Sequence, residues 1–200
     1  MSALQATRRR FLKGAAGAAL ALPMISPRSV AGENPPSEKI TVAFIGTGNN
    51  GTNWLRPFLG DARVRVVAVS DVNREGAGYW GGSVRGREPA RRTVNEHYRD
   101  DSCAAYEDFR DVLRRRDIDA IYIGTPDHWH ALLAVTCANA GLGIYGEKPL
   151  ARSIREGRAI VDAVEQNNRI WQTGSWQRSR ANFHRACELV INGRIGKVNY

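Results

Sequence analysis

Three glycines at fixed spacing, Gly46-x-Gly48-x-x-Gly51, stand between an apolar run and an amphipathic one, and Asp71 lies 20 residues beyond the last of them. These residue types at this spacing suit the holding of a dinucleotide. Gly46 permits a tight turn, Gly48 lets the backbone approach a pyrophosphate with no Cβ in the way, and Gly51 lets a helix pack closely on a strand. Asn49 and Asn50 lie inside the turn, and free N–H groups at the helix start attract phosphate. A carboxylate at the Asp71 position accepts hydrogen bonds from both adenosine-ribose hydroxyls and repels a 2′-phosphate. NAD is therefore favoured over NADP, with Arg74 nearby working against that preference.

Two further segments carry reactive side chains. Thr125-Pro126-Asp127-His128-Trp129-His130 holds two histidines around a tryptophan, and Glu147-Lys148-Pro149 holds a lysine between an acid and a proline. His128 and His130 look like a metal pair, but no third ligand stands at a supporting spacing and zinc sites need three or four. No metal site is predicted. Lys148 alone reads as a surface lysine at a strand end.

The elements that must position these residues alternate. Lys39–Ile45 and Val64–Val69 are short β-branched runs, as buried parallel strands are. Further strands are predicted at 103–106, 118–123, 143–146 and 170–173. Helices are predicted over 52–59, 90–98, 108–116, 130–139 and 153–163, with His184 packed on a final helix. Residues 73–89, which include Tyr79, Trp80, Gly81 and Gly82, read as an irregular loop beside the cofactor edge. Strands alternating with helices predict an α/β fold, a doubly wound parallel sheet. Domain bounds follow: residues 1–31 a leader, 32–38 a linker with Pro35-Pro36, 39–195 the dinucleotide-binding domain, and 196–200 the start of a second α+β domain.

The chain has 200 residues, with 42% hydrophobic and 24% charged. That composition excludes a disordered, collagen-like or multi-span membrane chain. Three cysteines are too few and odd in number for a disulfide framework, and buried or partly buried thiols are expected. The net charge is +9. Five of the basic residues and no acid fall in residues 1–31, which leaves +4 on the remainder. The other arginines are interspersed with acids, so no nucleic-acid partner is predicted. Within the leader, Thr7-Arg8-Arg9-Arg10-Phe11-Leu12-Lys13 precedes the small apolar run Gly14–Leu22, which is too short to span a membrane, and Ser29-Val30-Ala31 offers a cleavage site before Gly32. It resembles a twin-arginine export signal, which implies a periplasmic or extracellular protein.

Taken together, Gly46-x-Gly48-x-x-Gly51, Asp71, Thr125-Pro126-x-His128-x-His130 and Glu147-Lys148-Pro149 resemble the Gfo/Idh/MocA oxidoreductases, and the likeness runs over about residues 39–200. The resemblance implies an NAD(P)-dependent hydride transfer at a sugar or cyclitol hydroxyl carbon. It implies that Lys148 is the catalytic residue, stabilising an alkoxide and helping to move its proton. It also implies that Glu147 holds either Lys148 or the nicotinamide ribose, that Pro149 fixes the turn, and that Thr125, Pro126, His128 and His130 line the nicotinamide half. Trp176, Gln177 and Arg178, after the sixth strand, are candidate substrate contacts, and a structural ion pair is the other reading of Arg178.

Members of that family are about twice this length, and their second domain carries an Asp/His acid–base pair and often the dimer interface. The parent protein is therefore expected to form a homo-oligomer. Two alternatives stay open: an NAD-dependent enzyme of the same fold that cleaves glycosides, or a nucleotide-binding fragment without catalysis. Because free NAD is scarce outside the cytoplasm, a tightly held cofactor is expected.

Overall fold

The computed structural model describes residues 38–197. The leader 1–31, nearly all of the linker, and residues 198–200 lie outside that span. The described part is a six-stranded, all-parallel sheet in the order β3-β2-β1-β4-β5-β6. Its strands are β1 (Ile40–Ile45), β2 (Val64–Ser70), β3 (Ala104–Tyr106), β4 (Ala120–Ile123), β5 (Gly143–Glu147) and β6 (Trp171–Gly174). The helices are α1 (Asn49–Leu59), α2 (Arg87–Tyr98), α3 (Phe109–Leu113), α4 (His130–Asn139), α5 (Ile154–Gln166) and α6 (Ala181–Ile191). Short 3-10 turns cover Trp80–Gly82, Asp127–Trp129 and Trp176–Ser179.

The strands are short and apolar because both faces of the sheet are covered. On one face Val42, Phe44, Val66, Val69 and Tyr122 meet Leu55 and Leu59 of α1 and Ala90 and Val94 of α2. On the other, Ala43, Ile45, Ile121, Ile123 and Ile144 meet α4 and α5. Adjacent residues of one strand thus join opposite layers, as the two-residue period demands. One irregularity interrupts it. β1 and β2 pair Val42 with Val66 but Ala43 with Ala68, so Val67 is an extra residue. Without it every side chain beyond, including Asp71 at the strand tip, would face the other way.

The boundaries differ from the sequence expectation where turn chemistry decides them. α1 begins at Asn49 rather than Thr52 because Gly48 itself serves as N-cap. α2 begins at Arg87, three residues early, after Gly86 at φ +126°. α6 buries none of its residues. The His184 side chain is 73% exposed and faces Glu188 at 3.5 Å, so it does not pack as predicted. The cysteines divide likewise: Cys103 and Cys137 are buried and Cys187, on α6, is exposed. Burial pushes the Cys103 and Cys137 thiols up to about 12. Among the described residues no helix is long and apolar enough to cross a membrane, and no three His, Cys, Asp or Glu side chains converge as a metal site would.

Candidate dinucleotide site

The strand order reverses between β1 and β4, and in open α/β sheets such a switch point leaves a crevice beyond the carboxyl ends of the strands. The cleft here, of about 430 Å³, lies at that seam. Its floor is the glycine turn. Gly46 has φ +89°, and a Cβ there would meet the Gly124 and Thr125 backbone at 2.7 Å. A Cβ on Gly51 would lie 1.9 Å from the Gly46 carbonyl oxygen. Gly48 differs: among the described residues outside its own turn, only Tyr79 comes within 4 Å of its would-be Cβ, and the turn borders the cleft. No side chain caps α1, and its first turn holds no acid. Its first N–H groups and the positive end of its dipole are left for an anion.

Asp71 is locked at the side of this turn. Its Oδ2 accepts from the Thr47 backbone N–H at 2.7 Å and from Thr47 Oγ1 at 3.3 Å, while Oδ1 accepts from the Asn73 N–H at 2.9 Å. A carboxylate has about four acceptor positions, so capacity remains for ligand hydroxyls. Arg87 braces the same tip. Its Nη1 donates to the Asp71 and Val72 carbonyls at 3.1 and 3.0 Å, and its Nη2 pairs with Glu107 at 2.9 Å. Across the cleft, Thr125 Oγ1 is buried with no hydrogen-bond partner. Open Gly48, the uncapped helix start, the fixed carboxylate and this orphaned hydroxyl together fit a dinucleotide. The cleft gathers Gly46, Gly48, Asn49, Asp71, Thr125 and Pro126 of the residues expected from sequence. Asn50 is exposed on the first turn of α1, and Gly51 is buried beneath it.

The remaining candidates take other places. His128 is exposed in the turn before α4. His130 is 2% exposed. Its Nδ1 lies 2.6 Å from the Pro149 carbonyl and its Nε2 2.9 Å from the Thr125 carbonyl. Carbonyl oxygens only accept, so a ring with both N–H groups donates to each, and a ring with one leaves a lone pair against an oxygen. Either way His130 joins the turn after β4 to the turn after β5. Lys148 and Pro149 are exposed at that second turn, joined by a cis peptide bond.

Glu147 points the opposite way from its neighbour. It is 2% exposed, accepts from the Tyr122 hydroxyl at 3.3 Å, and has its other oxygen buried without a partner. Burial, and then the charge of Glu147, push the Tyr122 phenol up, so it stays a neutral donor. Tyr122 in turn stacks on Phe44 at 4.6 Å and on Tyr145 at 5.7 Å. Beyond β6, Trp176 is half-buried beneath the Arg180 guanidinium at 4.9 Å, and Gln177 and Arg178 are exposed.

The structure adds residues that sequence reasoning missed. Tyr79, Phe109 and Trp129 line the cleft and give it aromatic walls, and Arg87 steadies its acidic tip. None had a spacing signal, since they come from separate loops and helix starts.

These features define the chain as a dinucleotide-binding α/β domain. It belongs to the oxidoreductase family with an NAD-binding Rossmann fold (Gfo/Idh/MocA), whose family model matches residues 40–175. Among curated relatives it is 31% identical over 159 residues to an inositol 2-dehydrogenase of Saccharopolyspora erythraea, covering 78% of this chain and 43% of the relative. It is 30% identical over 165 residues to a glycosyl hydrolase family 109 protein of the same organism, covering 80% and 34%. Among solved structures, myo-inositol 2-dehydrogenase of Lactobacillus plantarum superposes with a TM-score of 0.65 at 24% identity, over 81% of this chain and 44% of that one. Scyllo-inositol dehydrogenase of Lactobacillus casei, solved with NAD(H) and scyllo-inositol, gives 0.63 at 22%, over 80% and 43%. The chain thus spans less than half the length of these relatives.

Proposed function

We propose that this chain is the cofactor domain of an exported NAD-dependent oxidoreductase that acts on a hydroxyl carbon of a sugar or cyclitol. The observation that carries the reading is Asp71, held by the Thr47 and Asn73 amides beside an open glycine turn, where a carboxylate would meet the ribose of a bound dinucleotide. NAD bound there supplies a hydride acceptor. The uncapped start of α1 holds its phosphates, Asp71 selects its ribose hydroxyls, and Thr125 Oγ1 gains a partner. Lys148, brought to the edge of the same sheet through the turn that His130 anchors, steadies the negative charge that grows on a substrate oxygen. The leader motif at Arg8-Arg9 supports export, and the longer parent protein is proposed to be a homo-oligomer.

Calorimetry on the full chain tests the cofactor reading. NAD should bind at least about tenfold more tightly than NADP, and Asp71→Ala should remove about tenfold or more of the NAD affinity and narrow the gap. Equal binding of both by the native chain would overturn it.

The glycosyl hydrolase relative favours a second reading, in which the same cofactor serves glycoside cleavage. Native protein purified from its source separates the two. Turnover of a free polyol supports the first reading, and release of nitrophenol from a nitrophenyl glycoside supports the second.

A further inference from the structure

Residues 73–86 form a strap between β2 and α2 whose base is tightly fastened and whose tip carries three glycines. At the base Gly76 and Arg85 exchange backbone hydrogen bonds of 3.0 Å, and the Arg87 and Glu88 amides donate to the Asn73 and Arg74 carbonyls, each at 3.0 Å. A Cβ on Gly86 would lie 2.7 Å from those same two carbonyl oxygens, so the base closes only on glycine. Arg92 of α2 adds an ion pair to Glu75 at 2.9 Å. At the tip, Gly78, Gly81 and Gly82 all have positive φ, and a Cβ on any of them would meet nothing within 4 Å.

Tyr79 carries this tip onto the glycine turn. Its Cε1 lies 3.3 Å from the position a Gly48 Cβ would take, and its side chain lines the cleft together with Asp71 and Asn73. Asn73 Nδ2 donates to the Tyr79 hydroxyl at 2.8 Å. That bond occupies a lone pair of the phenol oxygen and fixes its direction. The phenol oxygen still carries a hydrogen of its own to donate, and the ring that bears it stands beside the backbone where a pyrophosphate would pass.

We propose that Tyr79 donates this hydrogen to a phosphate oxygen of the bound dinucleotide and that the strap thereby closes over the pyrophosphate and slows its release. The proposal rests on the reading of the cleft as a dinucleotide site. It assigns the strap a retaining role and distinguishes its contact from that of Asp71, which addresses the ribose. Gly48 serves both approaches, since a side chain there would displace the tyrosine ring.

The test uses the full chain with three probes, NAD, ADP and adenosine, and the variants Tyr79→Phe and Tyr79→Ala. Phenylalanine keeps the ring against Gly48 and removes only the hydroxyl. Tyr79→Phe should weaken ADP and NAD by about tenfold, as expected for a hydrogen bond to a charged group, and should leave adenosine unchanged. NAD release followed by stopped flow should quicken by a similar factor, and more in Tyr79→Ala. Unchanged ADP affinity in Tyr79→Phe overturns the proposal, and so does an equal loss for adenosine, which would move the contact off the phosphates. If the native chain binds neither NAD nor ADP, the proposed function falls and takes this proposal with it. If it binds both and Tyr79→Phe matches it, only this proposal falls.

Discussion

His130 shows how a residue that looks reactive by type can act through its surroundings. It lies at the start of α4 with both ring nitrogens on backbone carbonyls, one from each of two turns that are distant in sequence. Removing the ring takes away the imidazole that joins the Pro149 and Thr125 carbonyls and leaves a void at a buried position. His130→Ala should therefore lower the unfolding free energy by about 2–4 kcal/mol, read from urea denaturation of the full chain. Unchanged stability would show that the carbonyls find other donors. The sequence pattern located this histidine but not its partners, because hydrogen bonding to main chain leaves no mark on the partner's residue type. The same holds for Glu147. Its motif marks it out, yet strand parity alone turns it inward toward Tyr122 while Lys148 stays exposed. Tyr79 and Trp129 stood in segments the sequence set near the cofactor edge, but their part in lining the cleft was not legible, for another reason. Their roles depend on where loops fold back, and loops carry no period.

At the scale of elements, the sheet was legible. The inner strands β1, β2, β4 and β5 are largely apolar runs of four to seven residues, and parallel strands buried on two faces have few other compositions, while the edge strand β6 (Trp171-Gln172-Thr173-Gly174) is more polar. Helix starts were less so, since α1 and α2 begin at glycine caps rather than at the first apolar residue. The joint between β1 and α1 leaves no room for a side chain at Gly51. At Gly51 even one methyl group would sit 1.9 Å from the Gly46 carbonyl oxygen, which is backbone and cannot swing aside. Gly51→Ala should force the helix off the strand, cost about 3 kcal/mol of stability, and abolish NAD binding by spoiling the phosphate turn. Gly78→Ala on the open strap tip is the control. It should cost much less, only the strain of its φ of +103°. Thermal melts with and without NAD would distinguish the two outcomes.

For the molecule as a whole, the described domain carries the candidate nucleotide site, while the match covers less than half of each relative it resembles. The apolar side chains of Ile154, Ile170 and Ile191 stand 94%, 80% and 82% exposed. The leader, by contrast, is read from sequence alone. The twin-arginine reading makes a definite prediction: after fractionation the native chain should be found outside the cytoplasm, and replacing Arg8 and Arg9 together by lysine should retain it inside. Cytoplasmic residence of the native chain would remove export from the proposal and leave the cofactor site untouched.

The extra residue at Val67 has a bearing on how such a domain can change over generations. With it in place, β2 is phased by the core as far as Ser70, and any insertion or deletion there would exchange buried for solvated side chains. Asp71 stands past that last buried residue, its carboxylate held by Thr47 and Asn73. On the role proposed for Asp71, a single codon change at position 71 would therefore alter which nucleotide is preferred while the packing inherited by the rest of the sheet stays as it was. Ligand choice would then sit one residue past the strand whose burial decides foldability, so selection could adjust either without reopening the other.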